Sequence, residues 1–317
     1  MVNVSVVTPA WNAERTITRA IASALSQSGV SVEVIVADDA STDATGHVVA
    51  ALNDPRVRYL RLPVNGGPAA ARNAAIASAQ GEWIAVLDAD DMFLEGRLAG
   101  LVATASDHCL EIVADNMLID DTNGARRLFI EEELDGAVRY LSLADYIVGN
   151  RLFGRRPGEG YLKPMFAAGF LQRHALRYDT ATRIGEDFLL VAEAMALGAR
   201  YGRVRAAGYV YTTHSGSISH RLTRRDADAM VEADRRYLAR HGARLNAAER
   251  MEWLAHLKTL EDGASFVAMV ECIKARDFAS LARFAVQRPA AVRHFAMPIR
   301  ARIARLTRRS ATAGSPA

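Results

Sequence analysis

Cysteine is nearly absent from this 317-residue chain. Cys109 and Cys272 stand far apart and without metal-ligand spacing, which excludes a disulfide scaffold and a thiolate zinc site. They read as buried thiols in a reducing compartment. Long apolar runs are missing too: nothing approaches the ~18 to 20 residues that a bilayer span needs. Val4 to Val7 leads directly into Pro9, Asn12, Glu14 and Arg15, a strand and turn rather than the apolar core of a signal peptide. The expectation is a cytoplasmic protein, peripheral on the inner face of the cell membrane if it touches one. Neither GxxxxGK nor GxGxxG occurs, so the P-loop and dinucleotide readings fail, and no GxSxG elbow or HExxH helix is present. Acid is absent from the last forty residues. Residues 278–317 hold eight arginines and no Asp or Glu, so the formal charge of +3 hides a remainder with 31 basic and 36 acidic residues, or −5.

What is present reads as α/β. Half the residues are apolar and 24% are charged, ordinary for a soluble globular chain. Val4–Val7, Val32–Val36, Val57–Leu62 and Trp83–Asp91 are short β-rich runs, each followed by helical spacing, as around Ile17, Ile21, Ala24 and Leu25. That alternation implies parallel pairing and right-handed crossovers, hence a doubly wound, mostly parallel, Rossmann-like sheet over residues 1–105. Glu111–Ile119 and Gly208–Thr213 add strands to a second half, 106–220, with an irregular insertion at 120–160 and a helix over Phe188–Leu197. From 221 to 317 the pattern is a helical extension, with apolar positions at Met230, Tyr237 and Leu238, then Met251, Leu254, Leu257 and Leu260.

Acids gather where strands end. Asp38 and Asp39 close the second strand, and Asp88, Asp90 and Asp91 close the fourth, on the edge where open α/β sheets bind ligands. Three clustered carboxylates favour Mg²⁺ or Mn²⁺, although Asp91 also precedes the helix-like run Phe93–Ala105 and suits a cap. Without a glycine nest, a nucleotide here would have its base and ribose read by acids and its diphosphate carried by a metal.

TPAWN, VADDASTD, NGGPAAARN, LDADD and GEDF, in this order and at these intervals over roughly residues 3–220, resemble a family 2 glycosyltransferase of the GT-A fold. Within that family the chain is similar to the sugar transferases of bacterial exopolysaccharide assembly, the succinoglycan type in particular. The resemblance implies that Pro9 and Trp11 lie beside the nucleoside of a UDP-sugar and that Asp39 accepts from the uracil. It implies that Arg72 and Asn73 line the donor pocket, that Asp88 contacts ribose or sugar, that Asp90 ligates the divalent metal, and that Asp187 is the general base of an inverting transfer. The acceptor it implies is a lipid-linked saccharide. YVYTTHSGSISHR resembles a donor-closing loop, with His214, Ser217 and Ser219 at its polar positions. Thr212 stands where many relatives carry Arg, and Ala40 replaces a usual Gly, which puts the detailed diphosphate contacts in doubt. Transfer to polyprenyl phosphate or another surface polymer, or nucleotide-sugar binding without turnover, stays open from these residues. A nucleic-acid partner is excluded by the acidic sheet edge and by a basic tail without aromatic interleaving. In that tail Val292, Phe295, Met297, Ile299, Ile303 and Leu306 alternate with arginines, so it either packs on the acidic body or lies on an anionic membrane.

Overall fold

The computed structural model describes residues 2–120, 125–132, 134, 136–152, 154, 158–213 and 222–295. The first half is three strand–helix units and a fourth strand: β1 (Val4–Ala10), α1 (Ile17–Leu25), β2 (Val32–Asp38), α2 (Thr45–Ala51), β3 (Val57–Arg61), α3 (Pro68–Ser78) and β4 (Trp83–Val86). Every residue of β2 is buried, as is all of β1 except Pro9, which is why these strands are rich in valine and isoleucine on both faces. After them come β5 (Met92–Phe93), α4 (Arg97–Asp107), β6 (Ile112–Asp120), β7 (Arg126–Leu128), β8 (Val138–Leu141), α5 (Leu143–Gly149), β9 (Met165–Ala167), α6 (Ala168–Arg173), α7 (Glu186–Ala196) and β10 (Tyr201–Thr212). The extension is α8 (Arg224–His241), α9 (Ala247–Ala275), α10 (Phe278–Gln287) and α11 (Pro289–Val292).

One sheet runs through both halves in the order β3-β2-β1-β4-β9-β6-β10-β5, with β7 on β6 and β8 on β10. Pairing is parallel across β3, β2, β1 and β4, as the alternation predicts. Beyond β4 the sheet is mixed. β9 is antiparallel to both β4 and β6, and β6 is parallel to β10. Two reversals across β9 restore the original direction, so β1, β2, β4, β6 and β10 all end on one edge. That edge receives every strand-end acid.

Three expectations are corrected. The helix expected from Phe93 begins only at Arg97, because Met92 and Phe93 pair with Val210 and Tyr209 of β10 and Gly96, at φ +75°, makes the turn into α4. Asp91 therefore caps nothing. Cys109 is exposed rather than buried, lying just past α4 in a left-handed turn at φ +49°, and Cys272 is half-buried. The apolar stripe expected in the extension is met only in part: Tyr237 and Leu260 are buried, but Met251 and Leu254 are exposed, and α9 buries Trp253 and His256 instead. Among the described residues no helix is long and apolar enough to cross a membrane.

Candidate active site

The nucleotide edge is built from the ends of β1 and β2. Pro9 is the half-buried penultimate residue of β1, and two residues on Trp11 leaves its indole 58% exposed at the rim. Asp38 turns inward, where it accepts from the Ser41 backbone (2.9 Å), from Arg61 Nη1 (2.9 Å) and from the Tyr59 hydroxyl, which is the work of a turn residue. Asp39 spreads its carboxylate over the Asn65-Gly66-Gly67 turn, accepting from both glycine N–H groups at 2.7 Å. Each oxygen keeps a second lone pair for another donor. Ala40, in the position noted above, is held left-handed at φ +58°, a backbone that glycine adopts without strain.

A ring of charges forms between elements far apart in sequence. Arg72 of α3, whose side chain is only 4% exposed, donates through Nη2 to Asp88 Oδ1 (2.8 Å) and through Nη1 to Glu186 Oε1 (2.8 Å) and Asp187 Oδ1 (3.3 Å). Lys163, in the segment leading to β9, closes the ring. Its Nζ donates to Asp187 Oδ2 (2.8 Å) and lies 3.0 Å from Asp88 Oδ2. Two cations thus grip Asp88 at the end of β4 and Asp187 at the start of α7, placing both acids around one point. Gly185, at φ +90°, allows the chain to turn sharply into α7 so that the acid pair faces that point.

Two cations balance two anions, and the fifth group shows the surplus. Burial raises the carboxyl pKa of Glu186, and Asp187 beside it raises it further. Asp187 itself is half-buried, which works against its charge, but Arg72 and then Lys163 hold it below the usual carboxylate range. Lys163 and Arg72 likewise outweigh burial at Asp88 and hold it well down. The environment therefore separates the acid pair, keeping Asp187 ionised and disfavouring charge on Glu186.

The three aspartates after β4 do not converge. Asp88 points into the ring, and Asp91 is taken by the Tyr209 hydroxyl (2.6 Å) and the Thr212 N–H (2.8 Å) of β10. Among the described residues no three acid, histidine or cysteine side chains gather to hold an ion by themselves. Asp90, between Asp88 and Asp91 in sequence, is half-buried. One carboxylate completed by diphosphate oxygens and water is a donor set that Mg²⁺ accepts, so the residues present fit a metal brought largely by substrate. Beside Asp90 stands Arg19 of α1, which sequence reasoning missed: its Nη2 donates to the Asp90 carbonyl (2.5 Å) and to Thr212 Oγ1 (3.0 Å). It sets a guanidinium next to Thr212.

Asn73 lies beside the ring, yet both ends of its amide bond the Tyr178 backbone at 2.9 Å, holding the ring that stacks 5.3 Å from the Arg72 guanidinium. His214, Ser217 and Ser219 lie outside the described residues. Lys163 was also missed. A lone lysine in a loop carries no spacing signal, and only the β9 pairing with β4 reveals where it goes.

The profile of Glycosyl transferase family 2 matches residues 5–160. The chain is 42% identical over 308 residues to succinoglycan biosynthesis protein ExoO of Rhizobium meliloti (strain 1021), covering 97% of this chain and 88% of that protein. It is 33% identical over 127 residues, 40% of this chain and 50% of the other, to WfgD of Escherichia coli, a UDP-Glc:α-D-GlcNAc-diphosphoundecaprenol β-1,3-glucosyltransferase. Among solved structures, Staphylococcus aureus TarS residues 1–349 in complex with UDP-GlcNAc superposes with a TM-score of 0.62 at 18% identity, covering 90% of this chain and 92% of that one.

Proposed function

Since the chain belongs to glycosyl transferase family 2 and has its GT-A fold, we propose that it moves a sugar, glucose, from a UDP-sugar to a hydroxyl of a lipid-linked oligosaccharide during exopolysaccharide synthesis of the succinoglycan type. The observation that carries this reading is the shared grip of Arg72 and Lys163 on Asp88 and Asp187. A donor-side acid and a half-buried, ionised base some hundred residues later meet at one point, which a binding protein has no use for. Residues 1–105 form the donor half and 106–220 the acceptor half, and the protein works in the cytoplasm.

In this reading Pro9, Trp11 and Asp39 hold the nucleoside, Arg72 and Asp88 hold the ribose and sugar end, and Asn73 fixes the segment against which Arg72 stacks. A divalent ion at Asp90, Mg²⁺ or Mn²⁺, would supply charge neutralisation for the departing diphosphate. Asp187 accepts the proton of the acceptor hydroxyl as its oxygen bonds to the anomeric carbon, and the bond from that carbon to UDP breaks on the opposite face. An α-linked donor gives a β-glycoside, without an enzymic nucleophile.

The test is incubation with a panel of radiolabelled nucleotide sugars and a lipid-linked acceptor extract, for the wild type and Asp187→Asn. UDP-glucose should label the lipid fraction. The asparagine variant should bind UDP as the wild type does while transfer falls by about 10² to 10⁴, the range of general-base catalysis. Transfer by that variant at more than about a tenth of the wild-type rate would remove Asp187 from the mechanism.

A further inference from the structure

Three aromatic side chains outside the charge ring are brought together from separate parts of the acceptor half. We propose that Tyr161, Tyr211 and Phe129 form the seat for the acceptor's terminal sugar, receiving the apolar face of a pyranose and presenting its hydroxyl to Asp187; this rests on the reading of Asp187 as the base.

Two independent anchors fix the position. Tyr161 ends a 3₁₀ turn, Glu159–Tyr161, and is two residues ahead of Lys163, whose Nζ touches Asp187 and Asp88. Tyr211 is two residues beyond Tyr209, whose hydroxyl bonds Asp91. The pairing of β10 with β6 runs without a shift from Tyr209 to Thr212, so strand alternation places Tyr211 on the face of Tyr209, about 7 Å further along. Phe129 meets Tyr161 edge to face, with centroids 5.9 Å apart and an interplanar angle of 61°.

The exposure pattern is that of a platform. Tyr161 is 57% exposed although Leu162 beside it is buried. Burial, followed by the nearby Tyr211, raises the pKa of its hydroxyl. A flat aromatic face with a hydroxyl at its edge suits a sugar, which offers C–H groups on one side and hydroxyls around its rim. The nucleoside reads from Trp11 and Asp39 at the ends of β1 and β2, on the other side of Asp88 in the sheet order, so these rings are left for the second substrate.

The seat is also preformed. Gly160 N–H donates to Asn150 Oδ1 (2.8 Å), and a Cβ at Gly160 would lie 2.5 Å from that oxygen, so nothing larger fits. On the other flank the Glu159 carboxylate is paired with buried Arg203 of β10 at 2.8 Å. A turn fastened on both sides loses little entropy when a ligand arrives.

Saturation-transfer NMR on the full chain with UDP tests this, using methyl β-D-glucopyranoside, methyl β-D-galactopyranoside and methyl N-acetyl-β-D-glucosaminide as probes. With the wild type, ring protons of at least one glycoside should receive saturation together with the UDP protons. Tyr161→Ala should weaken the glycoside signals about tenfold and leave those of UDP, while Tyr161→Phe should keep both. If the alanine variant also loses UDP binding, Tyr161→Leu, apolar but not aromatic, takes its place. Asp187→Asn should retain both sets of signals, so a failure of the base assignment shows separately in the transfer assay. Glycoside signals that survive Tyr161→Ala or Tyr161→Leu, or a wild type that saturates none of the three glycosides, would overturn the proposal.

Discussion

Lys163 is one of three lysines among 39 basic side chains, the others being Lys258 and Lys274 in the extension. An ammonium presents a compact charge with three donors, which lets its single nitrogen sit against two carboxylates at once. Its effect on Asp187 has a sign. Arg72 and Lys163 stabilise the ionised carboxylate against burial and against Asp88, with Glu186, Tyr178 and Tyr146 also facing this group. Removing Lys163 takes away one of the two cations and leaves the acids, so the Asp187 pKa must rise. For the wild type the base is already ionised above the ordinary carboxylate range, and the acid limb of the rate profile should lie at or below that range. For Lys163→Gln that limb should move up by about one pH unit or more. Stability follows the same sign: a depressed folded-state pKa contributes above the unfolded value and is lost as pH falls through the folded one, and this contribution shrinks in the variant. A pH profile of kcat that does not move would mean that Lys163 is a packing residue. None of this was legible beforehand. Asp88, Arg72 and Asp187 stood in recognisable motifs, whereas the role of Lys163 depends on a three-residue strand, Met165–Ala167, with no turn signal or alternation to betray it.

At the scale of elements α7 is held from behind. Phe188, next to Asp187, stacks between Tyr146 (5.4 Å) and His256 (4.7 Å), with Trp253 at 5.6 Å. Trp253 is fully buried and lies parallel to Tyr237 of α8 at 3.6 Å, and the Tyr237 hydroxyl donates to the Ala192 carbonyl of α7 at 3.0 Å. His256 Nδ1 is fixed by the buried Asp234 at 2.8 Å. So α8 and α9 form the back wall that keeps α7 in place. Trp253→Ala should therefore cost about 3 to 5 kcal/mol of stability, as large aromatic truncations in cores do. The measurement is a urea midpoint with an unchanged slope. A loss under about 1 kcal/mol would mean that the wall is not what holds α7. The existence of these helices was legible from their apolar spacing, and in the structure Thr223 and Asn246 cap them, each accepting from the backbone three residues on. Their buried face was legible only in part, at Tyr237 and Leu260. Methionine and leucine at 251 and 254 outscored tryptophan and histidine at 253 and 256 on hydrophobicity, while the actual contact was decided by ring stacking on Phe188. The parallel half of the sheet could be read from alternation, but the mixed half could not, because pairing direction across β9 is a tertiary property that short runs do not encode.

For the molecule as a whole, charge is divided between an acidic body and an arginine-bearing end. The first part of that end belongs to the body: Arg288 pairs with Glu261 at 2.7 Å, Ala291 is buried, and Phe295 sets its edge on Phe266 at 5.0 Å. Of the six apolar residues expected to alternate with arginine, Phe295 is thus accounted for by packing and Val292 is 42% exposed, while Met297, Ile299, Ile303 and Leu306 lie outside the described residues. Phe278 and Val286 of α10 remain exposed nearby, 67% and 81%, next to Arg283. A lipid-linked acceptor requires the active site to work close to a membrane, and five arginines at 300, 302, 305, 308 and 309, at roughly 1 kcal/mol each near an anionic surface, suffice for reversible attachment. The expected outcome is that the full chain floats with vesicles rich in anionic phospholipid, that salt near 0.5 M releases it, and that neutral vesicles do not retain it. A chain ending at Phe295 keeps the packed segment and loses those five arginines, so its melting curve should stay near that of the full chain while flotation is lost. Equal flotation of the two would assign the contact to α10 or to nothing, and the basic tail would then need another explanation for its lack of acid.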